Sequence, residues 1–253
     1  MTPHEPRRYR KLVSPEGLVT FEVAVGETDL MILAERELRE EARAAAKTAR
    51  RQIQSHAALA PEFLSAREPL PTPGGLPNIV AAMYRAAHIA GTGPMAAVAG
   101  AVAEYVAGEL SAGGEEVIVE NGGDLFMISM RERLVAVTAP GSELDGRIAL
   151  AVPPGERGIC TSSGTVSHSA SAGRANAVVI AAESAAVADA IATATANRVS
   201  APGDVEGALQ WARERAQLQQ VLIICGDAVG AWGQFELRGA GAPRGSGEAG
   251  EGG

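Results

Sequence analysis

One stretch of the chain, residues 159–199, most constrains what the sequence can fold into. It begins with a turn rich in Ser, Thr and Gly, continues with an apolar run over residues 175–182, and ends in an Ala-rich segment. A short, continuous apolar run is typical of a buried strand. Ser184 follows the run, and serine is a preferred helix N-cap. The pattern therefore predicts a loop, a buried strand and a helix, in that order.

Two polar residues of the predicted helix, Asp189 and Thr193, are four positions apart, and Asn197 lies one further turn along. This spacing places a carboxylate and a hydroxyl side by side on one helix face. Both are hard oxygen donors, which suit Mg²⁺ with waters and substrate phosphates in its remaining positions. An Asp in an apolar helix is costly to bury without a partner, so the alternative is that Asp189 is exposed. The pair is a candidate metal site.

Composition excludes some classes of function. The 253 residues are 46% apolar but only 4% aromatic, so the core is expected to consist of small aliphatic side chains that allow close packing. The formal charge of −8 argues against sequence-independent nucleic-acid binding, which needs a basic surface. Cys160 and Cys225 are far apart and are interpreted as reduced core thiols.

The sequence predicts a cytoplasmic protein without a membrane segment. The first twelve residues are polar and basic with no apolar segment behind them, unlike a signal peptide. No run of about 18 apolar residues appears, so no transmembrane helix is expected.

Hydrophobic periodicity predicts an α+β fold, with a mixed, mostly antiparallel sheet and helices packed on one face. We expect a single domain over residues 1–238 and a disordered Gly-rich tail over residues 239–253. The predicted elements are a hairpin over residues 9–25, helices over 28–59, 79–89, 95–110 and 204–217, and strands at 117–119, 125–130, 134–138, 147–152, 158–161, 221–225 and 232–237, of which 125–130 and 134–138 form a hairpin.

A second candidate site is the tetrapeptide Asn121-Gly122-Gly123-Asp124, which follows a predicted strand. Paired glycines permit positive φ or a close approach to a ligand, and successive N–H groups in such turns can bind anions. The alternative is a tight turn between two strands, where Asn-Gly is common. The tetrapeptide alone leaves both interpretations open.

A third candidate is the turn of Thr161, Ser162, Ser163 and Gly164, with His168 shortly after it. Its hydroxyls could bind phosphate or carbonyl oxygens, and His168 could act as an acid or base. The alternative is a polar loop without a ligand. No Gly-x-Ser-x-Gly elbow surrounds these serines, so a hydrolase nucleophile is not indicated.

Together these motifs resemble the ApbE-like superfamily, best known for FAD-dependent flavin transferases that attach FMN to a Thr of a target protein. That family has a glycine-containing helix, a strand ending in Gly-Gly-Asp, a Ser/Thr-Gly loop, a histidine, and an Ala-Asp-Ala-Leu-Ala-Thr-Ala helix. The same order occurs here over roughly residues 90–200, with residues 188–194 matching the last helix. The Lys-Gly-Tyr of the transferases reads Ala99-Gly100-Ala101, and their Asp-Pro-x-Thr-Gly is replaced by residues 169–173. The chain therefore looks most like the uncharacterised cytosolic branch.

The resemblance implies roles for the candidate residues. Asp189 and Thr193 match the family's Mg²⁺ ligands, and the residues of the Gly-Gly-Asp and Ser-Gly loops match positions near its flavin nucleotide. It implies a Mg²⁺-dependent enzyme that transfers FMN from FAD, or acts on a related nucleotide diphosphate, with His168 assisting proton transfer and a protein as target. The alternatives are a non-catalytic flavin- or pterin-binding carrier or assembly module and an interaction protein with a vestigial site. Ala-rich helices make a homodimer a further expectation.

Overall fold

The computed structural model describes residues 13–164, 174–215 and 218–239. His168 and most of the predicted tail lie outside them. The strands within these ranges are β1 Val19–Val25, β2 Thr28–Ala34, β3 Val117–Asn121, β4 Asp124–Ser129, β5 Arg133–Ala136, β6 Ile148–Val152, β7 Gly155–Ser162, β8 Ala177–Ala182, β9 Leu218–Cys225, β10 Ala228–Gly233 and β11 Glu236–Gly239. The helices are α1 Arg39–Leu59, α2 Glu62–Ser65, α3 Asn78–Ala90, α4 Val98–Leu110, α5 Ala185–Ala196 and α6 Val205–Arg213, with short 3-10 turns at Pro94–Ala97 and Pro202–Asp204.

The elements form three layers. The middle layer is an eight-stranded sheet in the order β1-β2-β3-β4-β7-β8-β9-β10, in which every neighbouring pair is antiparallel. Helices cover one face, and a three-stranded sheet, β11-β6-β5, covers the other. The predicted α+β class with a mostly antiparallel sheet is confirmed. The second sheet on the opposite face was not predicted.

Strand alternation explains why the middle sheet is buried on both faces. In β2, Leu30 and Ile32 point into the core under the helices, whereas Met31 and Leu33 point into the core beneath the small sheet. Such a strand is an unbroken apolar run. The prediction of one helix over residues 28–59 is wrong. An unbroken apolar run lacks the alternation of a strand, and the spacing of Leu30, Ala34 and Leu38 also fits a helix. The helix α1 begins only at Arg39.

Two predicted hairpins are replaced by other pairings. The observed hairpin joins β1 to β2, and Val13 forms an isolated bridge with Val135. The strands β4 and β5 do not pair with each other but belong to different sheets. The tail prediction falls almost wholly outside the described residues, apart from Gly239, which ends β11.

A buried ion pair connects the two sheets. Glu116 directly precedes β3, and Arg133 begins β5; their side chains are 1% and 2% exposed. The Arg133 guanidinium donates to the Glu116 carboxylate from Nε at 3.1 Å and from Nη2 at 2.8 Å, and to the Glu16 carbonyl at 2.7 Å. Burial would raise the pKa of Glu116, but hydrogen bonds from Ser129 and Arg133 and the nearby arginine charges hold it below its usual value.

Among the helices that the structure describes, none is by itself long and apolar enough to cross a membrane. One pair bent by 105°, Asn78–Ala90 with Pro94–Leu110, passes that test only when joined, and only by length and composition.

Candidate active site

The candidate site is built around the first turn of α4. A helix leaves its first N–H groups without partners, and the N-cap residue of α4, Ala97, has no side chain that could accept from them. Asp189 of α5 takes that place: its Oδ2 accepts from the Gly100 N–H at 2.9 Å, and the Ala99 N–H also bonds to this carboxylate. The partial positive charge of the helix N-terminus stabilises the carboxylate there.

The two helices cap each other. Glu104 of α4 accepts from the Ser184 hydroxyl at 2.8 Å and from the Ala186 N–H at 3.2 Å, at the start of α5. Ser184 is the N-cap of α5, as predicted, and its hydroxyl accepts from the Val187 N–H. Because each helix supplies the carboxylate for the other, the position of Asp189 is fixed from both sides.

A missing side chain makes this close contact possible. A Cβ added at Gly100 would lie 2.3 Å from the Ala185 carbonyl oxygen and 2.9 Å from the Asp189 Cβ. A Cβ at Gly158 of β7 would lie 2.2 Å from the Ala185 Cα. The start of α5 therefore lies in a space that only two glycines leave open.

The Asn121–Asp124 tetrapeptide is a two-residue hairpin turn between β3 and β4. Gly122 and Gly123 have φ of 69° and 104°, and Asn121 pairs with Asp124 across the turn. Thus the tight-turn interpretation is correct for the backbone, since such turns need positive φ at both central positions. The flanking side chains nevertheless point toward the helices. Asn121 Nδ2 donates to the Ala99 carbonyl at 3.0 Å, which joins the turn to the first turn of α4.

Asp124 brings the second and third candidate motifs together. Its Oδ1 accepts from the Thr161 N–H at 3.2 Å, and the residue is only 8% exposed. The Cys160 thiol also hydrogen-bonds Asp124 and lies 3.4 Å from the Ala185 carbonyl oxygen. The sequence correctly indicated a buried thiol at position 160, but not its contact with this carboxylate.

Two neighbouring carboxyl groups dominate the electrostatics. Burial and then the charge of Asp189 raise the pKa of Asp124 well above its usual value. Burial also raises the pKa of Asp189, although the N–H groups of Gly100 and Ala99 oppose this shift. Burial and the charges of both carboxylates raise the pKa of the Cys160 thiol. A cation beside these groups would favour their ionised forms.

The Ser/Thr/Gly turn lies at the end of β7, which stops at Ser162. Ser162 is on the same face of the strand as Cys160, is 5% exposed, and its hydroxyl has no hydrogen-bond partner among the described residues. Gly164 N–H donates to the Ala175 carbonyl at 3.0 Å and so ties the turn to the start of β8. His168, the predicted acid or base, lies outside the described residues.

Thr193, the second predicted metal ligand, lies one turn after Asp189 on α5 and is 7% exposed. Within residues 13–164, 174–215 and 218–239, no three His, Cys, Asp or Glu side chains form a group that could hold a metal ion. A Mg²⁺ ion held by Asp189 and Thr193 would therefore take its other ligands from water or phosphate oxygens, as this ion commonly does.

Sequence reasoning missed Glu104, although its signal was present. Glu104 is an acidic residue on the Ala- and Val-rich helix α4, just as Asp189 is on α5. The argument that a carboxylate in an apolar helix needs a partner applies to both. Applied to α4, it would have identified the reciprocal capping group.

Thr195 allows the packing of α5 near the site to be tested by mutation. Its side chain on α5 is fully buried, and its hydroxyl has no partner within the described part of the chain. We expect Thr195→Val to raise the free energy of unfolding by about 1 kcal/mol, because valine has the same shape without a buried unsatisfied hydroxyl. Urea unfolding measures the change. A loss of stability would contradict this description of the α5 packing.

Comparisons with known proteins identify relatives over most of the chain. The family model described as AbpE bacteria matches residues 10–231. A UPF0280 protein of Methanopyrus kandleri is 40% identical over 225 residues, which cover 86% of this chain and 91% of the relative. A UPF0280 protein of Methanoculleus marisnigri is 43% identical over 199 residues, covering 78% and 80%.

Solved structures share the fold at much lower identity. The flavin transferase ApbE from Vibrio cholerae has a TM-score of 0.59 and 12% identity, with 90% of this chain and 98% of that chain covered. The flavinyl transferase ApbE from Pseudomonas stutzeri, in its apo form, has a TM-score of 0.57 and 14% identity, with 87% and 94% covered. By its family match, its UPF0280 relatives and its fold, the chain belongs to the AbpE bacteria family and to the ApbE-like superfamily.

Proposed function

We propose that this chain is a Mg²⁺-dependent enzyme that acts on FAD, or on a related nucleotide diphosphate, and transfers its FMN portion to a protein. The observation that carries the proposal is the meeting of Asp124, Asn121 and Asp189 at the first turn of α4. The flavin transferases with solved structures have the same fold, and this likeness is the reason for proposing FAD as the nucleotide.

The donor set fits a divalent cation. Asp124 and Asp189 are close enough for the charge of Asp189 to raise the pKa of Asp124, and both carboxyl groups are buried. In the proposed site, Asp189 and Thr193 hold the ion and Asp124 adds negative charge nearby. When bound, Mg²⁺ would neutralise the diphosphate and act as a Lewis acid on the P–O bond that breaks.

The residues of the two turns would position the nucleotide. No described atom lies within 4 Å of a Cβ built at Gly122 or Gly123, so a ligand can approach the backbone there closely. The buried Ser162 hydroxyl, which has no partner among the described residues, could donate a hydrogen bond to a phosphate oxygen. In this proposal the nucleotide also contacts the other residues of the two turns: Asn121, Asp124, Thr161, Ser163 and Gly164. His168 would take the proton from the hydroxyl of the target protein that accepts FMN.

The decisive test is Mg²⁺-dependent stabilisation by FAD. We expect FAD with Mg²⁺ at about 100 times its Kd to raise the melting temperature by about 5–10 °C, and each component alone to raise it much less. Asp189→Asn should remove the Mg²⁺-dependent part, since the amide oxygen can still accept from Gly100 N–H but carries no charge. Differential scanning fluorimetry measures the shifts, and the variant without ligand serves as the check on folding.

A matched pair on α5 separates ligand loss from general damage. Thr193→Val should weaken FAD–Mg²⁺ binding at least ten-fold, whereas Thr195→Val, two residues away, should leave it unchanged. An unchanged melting temperature of the parent protein with FAD and Mg²⁺ would refute the proposed site. If FAD binds but chromatography shows it intact after long incubation with candidate target proteins, the function is that of a flavin carrier and not of a transferase.

A further inference from the structure

Two arginines stack on one tryptophan at the far end of α5. The guanidinium carbon of Arg198 lies 3.6 Å from the centroid of the Trp211 ring, and that of Arg215 lies 4.0 Å from it. Two planar groups this close to one ring centroid must cover opposite faces, since side by side on one face their nitrogens would overlap. The indole therefore lies between two positive charges.

Local helix capping explains only part of this arrangement. Arg198 Nη1 donates to the Ala194 carbonyl at 2.6 Å, near the C-terminus of α5, where a cation is favoured. This bond uses one of the five N–H donors of the guanidinium. It does not explain why Arg215, which follows the different helix α6, is held against the same ring. Burial and then the charge of Arg215 lower the pKa of Arg198, so the two cations repel each other.

The pair also lacks the neutralising partners that some of the other arginines have. Arg36, Arg39, Arg50, Arg133 and Arg238 all form ion pairs with glutamates. Among the residues that the structure describes, no carboxylate lies within ion-pair distance of the two guanidinium groups on Trp211.

We propose that Arg198, Trp211 and Arg215 form a binding site for a phosphate group. Arginine is well suited to phosphate because its planar donors match pairs of phosphate oxygens, and stacking on the ring holds both guanidinium groups in place. Arg198 is exposed and Trp211 and Arg215 are partly exposed, so a ligand can reach them. The phosphate is either the free ion or part of a nucleotide.

This site shares no residue with the proposed metal site. Along α5, Asp189 lies about 10 Å before the last helical residue, Ala196, whereas Thr193 lies less than one turn before it. The inference does not rest on the proposed FAD chemistry. Binding of phosphate should therefore persist in the Asp189→Asn variant.

Tryptophan fluorescence offers a direct test, because the chain has two tryptophans and Trp232→Phe leaves Trp211 as the only one. In this background we expect inorganic phosphate, added at constant ionic strength, to change the fluorescence in a saturable way. Arg198→Gln or Arg215→Gln should weaken binding at least ten-fold. A parallel titration with adenosine monophosphate distinguishes the sources: equal affinity supports a site for the phosphate alone, and tighter binding supports a nucleotide ligand.

Arg213 supplies the matched control. It is exposed at the end of α6, and its guanidinium carbon lies 5.7 Å from the Trp232 ring, so Arg213→Gln removes the same charge two residues before Arg215 without touching the stack. It should change the affinity for phosphate less than two-fold. The proposal is overturned if Arg213→Gln weakens binding as much as Arg198→Gln, or if chloride at equal ionic strength produces the same fluorescence change as phosphate.

Discussion

Replacing Arg133 with methionine is expected to lower the free energy of unfolding by about 3 kcal/mol, because it leaves the Glu116 carboxylate buried with only the Ser129 hydroxyl and the more distant Arg131 as partners. Arg131, whose side chain is 59% exposed, lies 3.5 Å from that carboxylate and compensates in part. Arg131→Met is the matched control and should cost less than about 1 kcal/mol, as exposed ion pairs contribute little. Equal effects of the two variants in urea unfolding would show that the buried pair does not hold the two sheets together.

The same pair predicts a pH dependence. The pKa of Glu116 is lower in the folded protein than in the unfolded chain, so the pair stabilises the fold above the unfolded value and this stabilisation is lost as pH falls through the folded value. In Arg133→Met the desolvated carboxylate is easier to protonate, and acid then relieves part of the damage. We expect the stability difference between parent and variant to narrow below about pH 4. A constant difference from pH 7 to pH 3 would argue against this coupling.

The second large effect is expected for Gly100→Ala, which should cost about 3 kcal/mol because the new methyl group would overlap the Ala185 carbonyl and the Asp189 side chain. Relief requires α5 to move away from α4, which would also lengthen the Gly100 to Asp189 hydrogen bond. We therefore expect the variant to lose FAD–Mg²⁺ stabilisation together with stability. Urea unfolding and scanning fluorimetry measure the two effects.

Gly108 on the same helix provides the control for Gly100. It is exposed, and a Cβ built there meets no described atom within 4 Å. Gly108→Ala should stabilise the protein by about 0.5–1 kcal/mol, since alanine has the higher helix propensity. The opposite signs of two identical substitutions on one helix would establish that the close contact between α4 and α5 is the cause. If Gly100→Ala proved as stable as Gly108→Ala, the contact would be looser than described.

Local signals predicted the elements around the site well. A continuous apolar run identified β8, and Ser184 with the Ala-rich segment after it identified α5. The Asn-Gly-Gly-Asp sequence located the turn between β3 and β4, because its backbone needs residues that tolerate positive φ. These signals lie within a few residues of each other, so a single sequence reveals them.

Long-range features could not be predicted in the same way. The small sheet pairs β6 with β11, more than eighty residues apart, and no local pattern encodes that partner. The strand β2 was mistaken for helix because burial on both faces removes the period-two alternation. In the site, the roles of Asp189 and Glu104 depend on two helices lying side by side. The sequence shows that both helices carry an acidic residue among apolar ones, but only the fold shows which N–H groups these carboxylates contact.

The mutual capping of α4 and α5 affects how related sequences should be interpreted. Asp189 caps α4 whether or not an ion is present. A related protein that lacked the proposed activity would therefore still be under selection to retain this carboxylate for its fold. Thr193 shows no such second role, because its side chain forms no hydrogen bond with any other residue that the structure describes. Under the proposed function, the hydroxyl at position 193 is therefore a better marker of retained activity than the carboxylate at position 189.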